Sequence, residues 1–361
     1  MGQSSLIILK RKMTDNPGSL DVIAAPSPDV PESDVHALLQ REYGLAGSLS
    51  PLVSERDQNF RLDARSGERF VVKIANAGES PEITDFQVRA LQRLEAGGCA
   101  VAVPQVLPTQ SGQAMTTIES RGSQFRLRVV TYLAGIPLEG HSPGSGLAFD
   151  MGRSLALIDR ALAGFSHPGE SQSLLWDMQR AAELRPLVRH VPGAELQRLV
   201  GDCIDVFERQ LAPVFPVLRT QVIHNDLNPG NVLLTGAEPP SVAGVIDFGD
   251  MLRAPLVVDV AIAASYLRAT DDELAVAVRF VRGFESQTPL EPRERDLLFD
   301  LVRTRLAATI TILYWRAAAR SADDPYLKKA LEERSAERFL RHLSQLGRER
   351  FFDLAFVEKN S

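Results

Sequence analysis

Residues 222–250 constrain this chain more than any other stretch. Apolar Val222-Ile223 leads into the polar run His224-Asn225-Asp226-Leu227-Asn228-Pro229-Gly230-Asn231, and apolar Val232-Leu233-Leu234 follows. A turn at Glu238-Pro239-Pro240 precedes Val245-Ile246, which ends in Asp247-Phe248-Gly249-Asp250. Short apolar runs bounded by Gly, Pro, Asn and Asp read as strands and turns. The pattern is therefore strand, polar loop, strand, turn, and a third strand ending in a carboxylate. It predicts that Asp226, Asn231 and Asp247 converge at one end of a small sheet. Two carboxylates and an amide are hard oxygen ligands, suited to holding Mg²⁺ on substrate phosphates while leaving water on the ion.

Composition narrows the setting. The 361 residues are 44% apolar and 24% charged, which excludes wholesale disorder and leaves room for two unequal lobes. A net charge of -6 provides no global field to gather polyanions, so nucleic acid is not the expected ligand. Two cysteines, Cys99 and Cys203, are too few for a disulfide scaffold or a cysteine zinc site. The apolar Leu6-Ile7-Ile8-Leu9 is too short to span a bilayer, and the basic residues after it lie on the wrong side for a secretory signal. The expectation is a cytoplasmic protein with no membrane contact. Residues 1–31, rich in Pro, Ser, Gly and Asp, read as a flexible tail, with Met13 as an alternative start.

Two regimes follow the tail. Residues 32–133 carry short β-prone runs at 49–53, 60–63, 69–74, 106–107, 113–118 and 124–133, with one helical spacing at 81–96. Residues 134–361 turn to helical periodicities at 148–162, 200–215, 256–267 and 297–319. This predicts an α+β protein with a small, mainly β amino-terminal lobe and a larger, mainly α carboxy-terminal lobe. Lys73, in Phe70-Val71-Val72-Lys73-Ile74, falls by alternation on the face opposite Val72 and Ile74. Alone it would be an ordinary strand lysine. With the downstream motif it becomes a candidate phosphate ligand.

The loop 224–231, the Ile246-Asp247-Phe248-Gly249 segment and the upstream lysine strand together resemble the aminoglycoside/choline phosphotransferase superfamily, small-molecule relatives of the protein kinases. The resemblance runs from about Pro31 to the final helices and implies a two-lobed kinase-like fold. It implies that Asp226 orients the acceptor hydroxyl, that Asn231 and Asp247 hold Mg²⁺, and that Lys73 contacts the α- and β-phosphates of ATP or GTP. It gives His224 the support of the catalytic loop. Gln87 stands where such enzymes carry a glutamate paired to the lysine, so Gln87, Glu82 or Asp57 would support Lys73 instead. The turn 54–59 has no glycine, leaving Ser54, Gln58 and Asn59 as donors to phosphate. By the same resemblance 126–135 joins the lobes. The purine edge would then meet the backbone of Thr131 and Leu133, with Val72 and Ile246 flanking the ring.

Two further stretches, 127–138 and 159–178, resemble the hydroxylysine kinase group and the kinase-like modules fused to class III aminotransferases. This implies a small amino-bearing alcohol as acceptor, with homoserine, choline/ethanolamine and aminoglycosides as alternatives, or a kinase-like module without turnover. Trp176 and Asp177 are candidates for an acceptor's ammonium group, and Arg305 or Arg253 for its carboxylate. Each also has a plain structural reading, and Trp315 could equally fill the core. A homodimer is left open.

Overall fold

The structure, a computed structural model, describes residues 27–54, 56–139, 141–268, 272–319 and 331–357. Residues 1–26 of the expected tail, and residue 55 of the turn ahead of the lysine strand, lie outside the described residues. The fold is two-lobed α+β. One compact unit runs through Ala134 and also takes in Phe165–Leu174; the other comprises Gly135–Gly164 and Leu175 onward. Among the described residues no helix is long and apolar enough to cross a membrane.

The first unit is built on strands β1 (Gly47–Leu52), β2 (Gln58–Ala64), β3 (Arg69–Ile74), β4 (Val106–Leu107), β5 (Thr116–Ser120) and β6 (Ser123–Thr131). All pairings are antiparallel, in the order β1-β2-β3-β6-β4, with β5 also on β6. Alternation decides the two faces. Phe60, Leu62, Phe70, Val72, Ile74, Leu127 and Val129 are buried in a core closed by Val35, Leu38 and Leu39. The last three belong to helix α1 (Glu32–Leu38) and the π-helical turn after it, which left-handed Gly44 ends. Val72 is fully buried in that core, which rules out the expected contact with a purine ring.

Helix α2 (Pro81–Ala96) begins where its sequence says it should: Ser80 Oγ accepts the Ile83 amide at 3.4 Å and Pro81 occupies the first turn. The segment 165–174 packs on it. Phe86 stacks on Phe165 and His167, with centroids 6.0 and 5.7 Å apart, and His167 Nε2 meets Asp85 Oδ2 at 2.9 Å. The expected boundary near residue 134 contained no hint of this return.

In the second unit two small sheets replace the single one expected for residues 222–250. Strand β8 (Thr220–Ile223) pairs with β11 (Leu252–Pro255), whereas β9 (Val232–Leu234) lies between β7 (Ile136–Pro137) and β10 (Val242–Val245). The helices are α3 (Ser145–Leu162), α4 (Ala194–Val206), α5 (Leu256–Tyr266), α6 (Glu273–Glu285), α7 (Pro292–Ala319), α8 (Ser335–Leu346) and α9 (Arg348–Phe356). Helix α5, almost wholly buried, carries Asp259 under the polar loop, and Trp315 on α7 is a core residue.

Helices α3 and α6 approach through two glycines. A Cβ on Gly152 would lie 1.9 Å from the Phe280 carbonyl oxygen, and one on Gly283 would lie 2.0 Å from that of Phe149. Helix propensity favours alanine by about 1 kcal/mol, but backbone here cannot yield cheaply, and overpacking costs about 1–3 kcal/mol. Gly152→Ala and Gly283→Ala should therefore lower the melting temperature by several degrees. Gly201→Ala in α4, where a Cβ meets nothing within 4 Å, should raise it slightly. Thermal melts of the three variants check both signs.

Candidate functional site

The polar loop after β8 is anchored from below. Asp259 accepts the His224 amide on Oδ2 and the Asn225 amide on Oδ1, both at 2.8 Å. Asn225 has φ +66°, a left-handed conformation that asparagine tolerates better than most residues, and its Nδ2 donates to the Asp250 carbonyl at 2.9 Å. His224 is fully buried. Its Nδ1 accepts the Asp226 amide at 3.3 Å and its Nε2 lies 3.2 Å from the Ile246 carbonyl. A ring with one acceptor and one donor role is neutral. Burial holds its pKa down against the charges of Asp259 and Asp247. His224 is thus a neutral brace joining the loop to the end of β10.

Asp226 is half-buried and densely held. Its Oδ2 accepts Asn228 Nδ2 at 2.8 Å and Asn231 Nδ2 at 3.2 Å; its Oδ1 accepts the Tyr266 hydroxyl at 3.1 Å. Asn231 Nδ2 also donates to the Asp226 carbonyl at 2.9 Å, which turns the amide oxygen of Asn231 away from Asp226. Burial, then the Asp250 and Asp247 charges, push the Asp226 carboxyl well above the usual carboxylate range, with Arg305 and Tyr266 opposing. Asp247 is exposed, at φ +60°, and its Oδ1 accepts the Gly249 amide at 3.3 Å. Asp226 and Asn231 are brought into contact, and Asp247 lies within electrostatic reach.

The candidates in the first unit form a row across the sheet. Asn59 pairs with Lys73, and Lys73 with Arg128, so the three lie side by side on the face away from the core. Asn59 Oδ1 is buried with no donor among the described residues. Gln87 is buried and accepts from Arg128 Nη2, while its own Nε2 lies 3.5 Å from Glu79 Oε2. Glu82 is exposed in the first turn of α2. Ser54 Oγ accepts the Asp57 amide at 3.2 Å, closing its own turn. Gln58 is engaged at both ends with Val30, at 2.9 and 3.0 Å, which removes it as a phosphate donor. The Thr131 amide donates to the Gln105 carbonyl, and its hydroxyl accepts from the Gln105 amide, both at 2.9 Å. That amide is not open to a purine. Leu133 is half-buried just beyond β6.

The acceptor-binding candidates have internal duties. Asp177 caps the 3₁₀ helix Met178–His190, its Oδ1 accepting the Gln179 amide at 2.9 Å, so the expected ammonium ligand is a helix cap. Trp176 Nε1 donates to Asp250 Oδ2 at 2.9 Å, and the Arg316 guanidinium lies 5.7 Å from the Trp176 ring centroid. A protein cation therefore already stacks on that ring. Arg305 is 4% exposed and donates to the Trp176 carbonyl and the Tyr266 hydroxyl, each at 2.9 Å. Its fork is not presented to a substrate carboxylate. Tyr266, Asn228, Glu79 and Arg128 were not foreseen. Tyr266 had one visible signal, as a polar ring closing an otherwise apolar helix.

A second carboxyl lies beneath Asp259. Asp159 on α3 is 1% exposed, and neither of its oxygens meets a donor. Two bare carboxylates are costly to bury together, so the surroundings of Asp159, with Asp259 as neighbour, favour its neutral form. Burial, then the Asp259 charge, raise the Asp159 pKa well above its ordinary 3.8, with Arg219 opposing. A raised pKa means that the folded protein holds this proton to higher pH than the unfolded chain does. Stability from this group is greatest at low pH and falls as pH rises, by at most about 1.4 kcal/mol per unit for one proton. Asp159→Asn, neutral at every pH and still a donor, should gain melting temperature relative to the parent between pH 5 and pH 8. A difference that stays constant across that range would show that Asp159 is not protonated.

Comparisons with known proteins place the chain in a family. Residues 48–297 match the model of the phosphotransferase enzyme family. The hydroxylysine kinase of Danio rerio is 28% identical over 333 residues, covering 88% of this chain and 92% of that protein. The homoserine kinase of Hyphomonas neptunium is 27% identical over 263 residues, 67% of this chain and 73% of its own. In fold, a microcompartment-associated aminopropanol kinase superposes with a TM-score of 0.69 at 17% identity, over 90% of this chain and all of that one. With the family model matched across both units, the chain belongs to the phosphotransferase enzyme family, as a kinase of small molecules.

Proposed function

We propose that the protein transfers the γ-phosphoryl group of ATP or GTP to the hydroxyl of a small amino acid or amino alcohol, hydroxylysine-like in character. The observation that carries the reading is the Asp226–Asn231 contact, in which one amide is bonded to Asp226 through its nitrogen, leaving its oxygen unused by that residue. That oxygen and the exposed Asp247 carboxylate are hard donors of the kind Mg²⁺ takes. Among the described residues no group of three or more His, Cys, Asp or Glu forms a cage, so phosphate and water would complete the ion's shell. Bound there, Mg²⁺ supplies charge neutralisation on the phosphoryl oxygens.

The residues divide the remaining work. Asp226 receives the acceptor hydroxyl on Oδ1 and takes its proton as the new O–P bond forms and the bond to the nucleoside diphosphate breaks, the diphosphate leaving with the electron pair. In the first unit, Lys73 meets the nucleotide phosphates, with Asn59 beside it in the sheet. The Leu133 backbone and the Thr131 carbonyl are left for the purine edge. The hydroxylysine-like acceptor draws its support from similarity at 28% identity over nearly the whole of a hydroxylysine kinase. The alternatives are a homoserine-like or an aminopropanol-like acceptor, which the other relatives keep in view.

Purified protein with Mg²⁺ and either ATP or GTP should phosphorylate hydroxylysine in preference to homoserine, choline, ethanolamine and kanamycin. Turnover of kanamycin alone would overturn the acceptor class. Asp226→Asn should lower the transfer rate by about 100- to 10,000-fold while nucleotide affinity largely survives. A single-turnover rate within threefold of the parent would remove Asp226 from the role.

A further inference from the structure

Asp226 is a carboxylate whose hydrogen-bonding capacity can be counted. An ionised carboxylate offers about four lone-pair sites. Asn228 and Asn231 fill both on Oδ2, and Tyr266 fills one on Oδ1, leaving a single direction open on Oδ1. The direction of the Tyr266 proton is also determined. Arg305 Nη2 donates to the Tyr266 oxygen at 2.9 Å, and a guanidinium cannot accept, so the lone hydroxyl proton is left for Asp226. Arg305 is itself immobilised, buried on α7 with its other Nη on the Trp176 carbonyl. The Tyr266 ring is flanked by two guanidinium carbons, of Arg268 at 5.1 Å and Arg305 at 5.6 Å from its centroid.

We propose that Tyr266, locked by Arg305, is a positioning residue that sets the single direction from which an acceptor hydroxyl can meet Asp226. Without the phenol oxygen, Oδ1 would carry two open sites instead of one. With Oδ2 still held by Asn228 and Asn231, an acceptor hydroxyl could then meet Oδ1 from either of two directions, only one of them in line with the phosphoryl group. A misplacement of this order costs rate far more than binding. The proposal rests on the reading of Asp226 as the aspartate that meets the acceptor.

The test is a cycle of Tyr266→Phe, Asp226→Asn and the double variant, with circular dichroism melts as a folding control. Transfer from γ-labelled ATP and Mg²⁺ to hydroxylysine is followed in steady state and in single turnover, with homoserine, aminopropanol and water as further acceptors. Tyr266→Phe should lower kcat by about 10- to 100-fold, leave the KM for ATP within twofold, and melt within a few degrees of the parent. In the Asp226→Asn background the same change should have no further effect, because the group it positions is already gone. A Tyr266→Phe rate within twofold of the parent, or an equal loss in both backgrounds, would overturn the positioning role. Asp226→Asn retaining the parent rate would overturn the reading of Asp226 instead. Absence of transfer from the parent protein to any of the four acceptors would overturn both.

Discussion

The two backbone amides of His224 and Asn225 are delivered to the two oxygens of one buried carboxylate, Asp259, and the geometry of the second unit depends on that contact. A carboxylate accepting backbone amides makes strong charge-assisted bonds, and in a water-free setting nothing else competes for them. It holds Asn225 in a left-handed turn that an unconstrained chain would seldom keep. From that turn His224 reaches the end of β10 through Ile246, Asn225 reaches Asp250, and Asp226 is carried to the surface of the loop. Asp259 can do this because α5 is apolar around it, and because burial beside it disfavours a second charge on Asp159.

Arginines bonded within the protein set much of the remaining polar architecture. In the first unit Arg126 bonds Thr84 Oγ1 at 2.9 Å and the Glu79 carbonyl, and Arg128 bonds Gln87, so two guanidiniums from β6 hold α2 against the sheet. In the second, Arg305 fixes Tyr266 and Trp176, and through them the surroundings of Asp226. Arginine suits these places because it stays charged and its planar fork serves two acceptors at once. Bonds inside the protein already engage both Nη atoms of Arg305, which sequence alone could not show.

The parts legible in sequence were those with strong local periodicity. The alternation of β3, which separates Lys73 from Val72 and Ile74, follows from a period of two, and α2 was bounded by Ser80-Pro81 and Gly97. The polar loop and its three oxygen-bearing residues were visible as a motif. Long-range pairing was not. Nothing local says that β8 pairs with β11 and leaves β9 to β7 and β10, or that residues 165–174 return to α2. That Asp159 and Asp259 are buried as neighbours follows only once α3 and α5 meet. The capping role of Asp177 was open to view in its place just ahead of a helix, and is the contact the structure gives it.

Hydrogen exchange at the His224 and Asn225 amides tests most directly the claim that Asp259 carries the loop. In the parent protein both amides should exchange only on global unfolding, with protection equal to that of the slowest amides in α5. Asp259→Asn presents an amide nitrogen to one of the two donors, so at least one of the pair should exchange orders of magnitude faster while α5 stays protected and phosphoryl transfer is lost. Unchanged protection of both amides in the variant, with α5 intact, would contradict the account.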